Sequence, residues 1–179
     1  MKSALIVTCC AAALLLSACG GEEKGDKTVR ADGTMAPGST LKVGERAVVP
    51  FSDANKSGTI AITVKSVDLG PKEDLAGFKN KGEGMLPVYV RMVVENVGGT
   101  DLSDTSVSVR AVDPNGKSTK VILANSTAAC KGGSAPENFT TAGATYETCK
   151  TEGVKDGGEV GGVIFREGDY QDDPITWKK

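Results

Sequence analysis

From Leu41 to the C-terminus the apolar residues recur at every second position, and no segment shows a convincing 3.6-residue period. The alternation is clearest at Val88, Val90, Met92 and Val94, with Tyr89, Arg91 and Glu95 on the other side. A strand sends successive side chains to opposite faces, so this pattern gives one face to a core. Ala47 to Phe51 reads as a short strand, and Pro50, which has no N–H for a ladder, places it near an edge or a strand end. Ile60, Ile62 and Val64 alternate with Ala61, Thr63 and Lys65, and the phase then flips to Val67 and Leu69. One extra residue in a strand produces such a flip, which predicts a bulge or bend near Lys65-Ser66.

Turn chemistry separates these strands. Gly70 to Leu86, rich in Gly and Lys, reads as a long loop, and Asn96-Val97-Gly98-Gly99 as a turn. Val107, Val109 and Ala111 alternate with Ser106, Ser108 and Arg110. Asp113-Pro114-Asn115-Gly116 then forms a tight turn, in which Pro sets φ and Gly takes the left-handed position. Ser118 to Leu123, Thr145 to Lys150, Glu159 to Arg166 and Ile175 to Trp177 complete the set. Seven or eight short strands with turns between them predict an all-β antiparallel β-sandwich, with a small closed barrel as the alternative.

Three stretches carry a family resemblance. Leu41-Lys42-Val43-Gly44-Glu45, then Tyr89-Val90-Arg91-Met92-Val93-Val94-Glu95-Asn96-Val97-Gly98, and finally Gly161-Gly162-Val163-Ile164-Phe165 resemble the immunoglobulin-like domain of the immunoprotective extracellular antigen superfamily and its lipoprotein relatives. The resemblance covers roughly 41–179 and implies an immunoglobulin-like sandwich on a secreted or lipid-anchored protein. It brings no catalytic or binding residues with it. Antibody-type domains pack a Trp on a cysteine pair that joins their two sheets. Here Cys130 and Cys149 are close in sequence and Trp177 is near the C-terminus.

The N-terminus sets the compartment. Met1-Lys2 is a minimal positive region, and the apolar run Ser3 to Leu16 is short for a bilayer span. Leu16-Ser17-Ala18-Cys19 resembles the lipobox of bacterial lipoproteins at all four positions. That resemblance implies cleavage before Cys19, a thioether-linked diacylglycerol on its sulfur, and often a further acyl chain such as palmitate on its amine. An ordinary secretory signal cut near Ala18 is the alternative. Two or more acyl chains give durable anchoring, at about 0.8 kcal/mol per buried CH₂. Gly20 to about Ser39 is Gly, Glu, Lys and Asp with only Val29 and Met35 as apolar residues, and it reads as a disordered tether reaching about 25 Å. The expected organisation is therefore a signal peptide at 1–18, a lipidated Cys19 with its tether at 19–40, and the sandwich at 41–179.

Export also governs the cysteines. Cys9 and Cys10 leave with the signal and Cys19 carries lipid, so Cys130 and Cys149 remain to form a disulfide in an oxidising compartment. A loop of about 20 residues closed in this way is worth roughly 3 kcal/mol. A redox or metal pair is the alternative, without Cys-x-x-Cys spacing or a histidine beside it.

The chain has 179 residues, a net charge of −2 and no His. Absence of a basic footprint argues against nucleic acid, and absence of His removes the commonest general base and metal ligand. Ser39-Thr40-Leu41-Lys42 matches a Ser-x-x-Lys nucleophile motif without the accompanying elements such enzymes need. Asp101, Asp104, Asp172 and Asp173 read as solvated turn carboxylates, because calcium-loop spacing is absent. No catalytic residue, metal or cofactor is assigned. Two loops are candidate partner contacts: one with Phe78, Lys79 and Lys81, the other with Phe139 and Tyr146, although both Phe side chains have packing on the sandwich as the alternative. The sequence therefore predicts an exported, lipid-anchored envelope protein that faces the extracytoplasmic side and is non-enzymatic. Its partners are the bilayer, through Cys19, and a protein, cell-wall or small-molecule ligand. A carboxylate or Ser hydrolase, or an accessory subunit of a surface complex, is the alternative.

Overall fold

A computed structural model describes residues 28–119, 121–122 and 127–179. The chain folds as an all-β sandwich of two sheets. The strands are β1 (Thr40–Lys42), β2 (Arg46–Asp53), β3 (Lys56–Leu69), β4 (Met85–Asn96), β5 (Arg110–Val112), β6 (Val121–Ile122), β7 (Thr145–Lys155), β8 (Gly162–Phe165) and β9 (Ile175–Lys178). One sheet has the order β1-β9-β8-β5 and the other β2-β3-β4-β7-β6. All pairings are antiparallel except β1 with β9. Among the described residues there are nine strands where seven or eight were expected; the addition is β1, a three-residue strand paired with β9.

The alternation decides which faces meet. Val88, Val90, Met92 and Val94 of β4 join Ile60, Ile62 and Val64 of β3 in the core, closed from the other sheet by Val163, Phe165, Ile175 and Trp177. Pro50 lies in β2, an edge strand, where a missing N–H is tolerated. The register of β3 against β4 shifts between Val64 and Ser66, so Lys65 is the bulge residue that the phase flip anticipated. Gly162 is required by close approach: a Cβ there would stand 2.2 Å from the Trp177 carbonyl oxygen. The Asp113–Gly116 turn closes as expected, the Gly116 amide donating to the Asp113 carbonyl (2.9 Å) with φ at 78°.

Four expectations are corrected. Gly70 to Leu86 is not a long loop throughout: Lys72–Lys81 forms a 3-10 helix and β4 begins at Met85. Leu75 of that helix is buried, and its Asp74 carboxylate accepts from the Tyr89 hydroxyl, so the outward-facing Tyr89 is buried as well. Val107 and Val109 keep the alternation and are buried, yet the β5 ladder starts only at Arg110. The preceding polar groups go elsewhere: the Ser106 amide donates to the Asp53 carboxylate (2.8 Å), and Thr105 O accepts from the Ala135 amide (2.8 Å). Ser118 forms an isolated bridge with Val112 in place of a longer strand, and the chain then crosses to the other sheet as β6.

The fourth correction moves the domain boundary. Residues 28–40, read as tether, are part of the fold. Val29 bridges Met35, Met35 is buried, and its amide donates to the Val48 carbonyl of edge strand β2 (2.8 Å). The Tyr170 hydroxyl donates to the Met35 carbonyl (2.8 Å), while the Arg30 guanidinium lies over the Tyr170 ring and 3.1 Å from Asp169. A lone Met in a polar stretch is a poor local signal; here a pocket built by distant residues receives it.

Candidate functional site

The lipobox residues Leu16, Ser17, Ala18 and Cys19 lie outside the described residues, as do the side chains of Lys79 and Lys81. Phe139 is not a surface contact. It is 1% exposed and packs edge-to-face on Tyr146, with ring centroids 4.9 Å apart. Burial pushes the Tyr146 phenol up to about 12, with the Asp53 carboxylate acting in the same direction. Phe78 is half-buried in the 3-10 helix. The aromatic residues of the two loops therefore serve packing more than recognition.

Cys130 and Cys149 stand at disulfide-bonding distance, with Cα atoms 5.3 Å apart. The pair forms a small cluster with Tyr89, separate from the main core. Arg91 holds this cluster, stacking over Tyr89 at 5.6 Å, pairing with Asp68 (2.9 Å) and donating to the Ala129 carbonyl (2.9 Å). The linkage thus pins the segment around Cys130 onto strand β7. Replacing both cysteines by serine is expected to lower unfolding free energy by about 3 kcal/mol. Denaturation with and without reductant checks it: the wild-type midpoint should fall to that of the double variant when reduced. Beside the linkage lies a cleft of about 380 Å³ lined by Lys65, Arg91, Lys131 and Glu147.

A second cleft, of about 400 Å³, opens on the four-stranded sheet. Val163 and Phe165 face the core, so Ile164 between them forms an apolar floor on the outer face, beside Arg110, its register partner on β5. Ser108 precedes β5, and the walls are completed by Arg166, Glu167, Gln171 and Asp172 from the turn after β8. Its charged side chains form no salt bridges with one another among the described residues, and Arg166 and Asp172 are exposed. Arg166 donates to the Gln171 carbonyl (2.7 Å) but meets no carboxylate, and neither Glu167 nor Asp172 has a salt bridge among the described residues. Burial pushes the Glu167 carboxyl up to about 7 and the Asp53 carboxylate adds to this, while the Ser108 amide, Lys150 and Arg110 favour its charged form.

Arg110 connects the cleft to the interior. Its guanidinium is 3.1 Å from Glu152 of β7, whose side chain is 4% exposed. Glu152 registers opposite the core residue Val88 and so stands on the inward face of its strand. Burial outweighs the Arg110 charge and the Ala111 amide, pushing Glu152 up to about 7. This pair ties one sheet to the other.

No protein family, curated protein or solved structure matches this chain. The site therefore has to be read from its own chemistry. The cleft has hydrogen-bonding groups, an apolar floor and charges of both signs, a composition suited to holding a small polar ligand. Of its residues the sequence drew attention to Asp172, read there as a solvated turn carboxylate, while Arg110 and Ser108 read as the polar side of a strand. Their meeting with Glu167 and Asp172 depends on a turn whose position only the packed sheets define.

Proposed function

We propose that this protein is a lipid-anchored module of the cell envelope that binds a small polar ligand in the Arg110–Glu167 cleft and does not transform it. The observation that carries the reading is the gathering of Arg166, Glu167 and Asp172, with no salt bridge between them, around one concavity. Such groups, hydrated in the free protein, can exchange that water for charge-assisted hydrogen bonds to a ligand of matching charge. The resemblances to the lipobox and to the immunoglobulin-like domain of secreted antigens support the anchored, exported setting.

A photo-reactive residue at Gln171, activated in native membranes, tests the reading. One discrete capture that is lost in R166A is expected; capture of random neighbours in both proteins would overturn it. For the anchor, Cys19→Ala is expected to move the protein from the membrane fraction into the soluble extract and abolish acyl labelling. Retention on the membrane would count against lipidation at Cys19.

A carboxylate hydrolase is the second reading, favoured by one observation. Glu167, whose carboxyl burial pushes up to about 7, shares the cleft with the Asp172 side chain, and a proton donor beside a second carboxyl group is what such chemistry needs. Turnover of a captured ligand that disappears in E167Q would establish this second reading over simple binding.

A further inference from the structure

We infer that the Arg110–Glu167 cleft is built for a zwitterion: a primary ammonium joined by a short chain to a phosphate or carboxylate. The inference rests on the cleft being a binding site and adds the class of ligand. Arg110 and Arg166 stand on one concave surface with Glu167 and Asp172; Arg110 also pairs through one guanidinium nitrogen with Glu152 behind the cleft, and no salt bridge joins the four cleft residues to one another among the described residues. A simple anion would meet the two carboxylates unfavourably, and a simple cation would meet the two guanidiniums. A zwitterion satisfies both signs at once, its anionic group on the planar guanidiniums and its ammonium on the carboxylates. The Ser108 hydroxyl and Gln171 amide can bond the linking chain, and Ile164 can cover its methylenes.

Location supports the assignment. The Gly38 amide donates to the Asp173 carbonyl (2.9 Å), next to the cleft residue Asp172, and the Ala36 amide donates to the carbonyl of Thr28 (2.7 Å). From Cys19 to Thr28 the chain has nine residue steps, at most about 30 Å when extended. An anchor on Cys19 therefore holds this end of the sandwich within that distance of the bilayer surface, where aminophospholipid headgroups carry this chemistry. Free amino acids carry it in solution.

Glu167 gives an independent signature. The groups acting on it are the Ser108 amide, Asp53 of β2, Lys150 of β7 and Arg110 of β5, with burial setting the direction. An ammonium favours its ionised form, so affinity should rise about tenfold from pH 6 to pH 8 in the wild type. E167Q should lose that dependence.

The test is titration calorimetry on the full chain in a maltoside detergent, with glycerophosphoethanolamine and alanine as zwitterions and glycerophosphate and ethanolamine as half-ligands. At least one zwitterion should bind tenfold more tightly than either half-ligand, and both R166A and D172N should weaken it at least tenfold. R166K, which keeps the charge, should lose less than R166A, and unchanged melting midpoints show that the variants fold. Vesicles of phosphatidylcholine with or without phosphatidylethanolamine separate the sources: preference for the second lipid assigns a headgroup, and tight alanine binding without it assigns a free amino acid. Equal binding of half-ligands and zwitterions, indifference to R166A and D172N, or no binding of either zwitterion would overturn the inference. Capture of a neutral ligand at Gln171 in membranes would also overturn it while leaving the binding reading intact.

Discussion

Replacing Trp177 by alanine is expected to destabilise the sandwich by about 4 kcal/mol, the largest effect of any single core truncation here. Trp177 is fully buried in β9, the strand that pairs with both β1 and β8, so its ring fills the centre of the four-stranded sheet's inner face. Its indole N–H donates to the Glu45 carbonyl (2.9 Å), which fastens the turn between β1 and β2 to the C-terminal strand. Alanine removes the ring's contacts, leaves a cavity and leaves that carbonyl without its donor. Phenylalanine restores most of the volume but not the hydrogen bond, and should cost about 1–2 kcal/mol. Urea unfolding monitored by circular dichroism checks both. A loss below 1 kcal/mol for the alanine variant would show that β9 does not anchor the second sheet.

The second large effect concerns Arg110 and Glu152. Arg110→Ala removes the counter-charge from a carboxylate that is 4% exposed, and should cost about 3 kcal/mol at pH 8. The loss should shrink toward pH 5, where Glu152 takes up a proton and no buried charge remains. The wild type should show a related trend. Glu152 has its folded-state carboxyl raised to about 7 against an unfolded value of 4.5, so the folded chain binds the extra proton between these values. Its contribution to stability is fully present below pH 4.5 and is lost as pH rises through about 7. Glu167 acts with the same sign, and more weakly because it is partly solvated. Asp32 and Asp101 have lowered values, so their contribution is lost only as pH falls further, and stability should peak near about pH 5. Glu152→Gln should flatten the profile between pH 5 and 8 and raise stability at pH 8. Unfolding free energy measured across this range checks the sign; a wild type more stable at pH 8 than at pH 5 would contradict it.

Much of the architecture is legible without coordinates because a sandwich strand writes its two faces into its own alternation. Val88 to Val94 of β4 and Ile60 to Val64 of β3 carry their faces in this way, and the phase flip at Lys65 marks an unpaired residue. The Asp113–Gly116 turn is equally local, since Pro and Gly fix its dihedrals with little help from the rest of the chain. Less legible are segments whose fate depends on what covers them. Tyr89 faces away from the main core and is nevertheless buried, because the 3-10 helix and the Cys130 segment fold over it. Thr28 to Ser39 has too few apolar residues to predict order, and gains it from β2, Asp169, Tyr170 and Asp173.

The sequence by itself determined the all-β class, the position of the bulge and the tight turn, all properties of short-range pattern; the pairing of Cys130 with Cys149 it supported only through the lipobox resemblance that set Cys9, Cys10 and Cys19 aside. Tertiary structure alone decided the cleft. Arg110, Glu167, Asp172 and the buried Glu152 come from strands and turns far apart in the chain. Their shared charge environment arises only when two sheets pack and exclude water between them, so no local pattern of residues announces it.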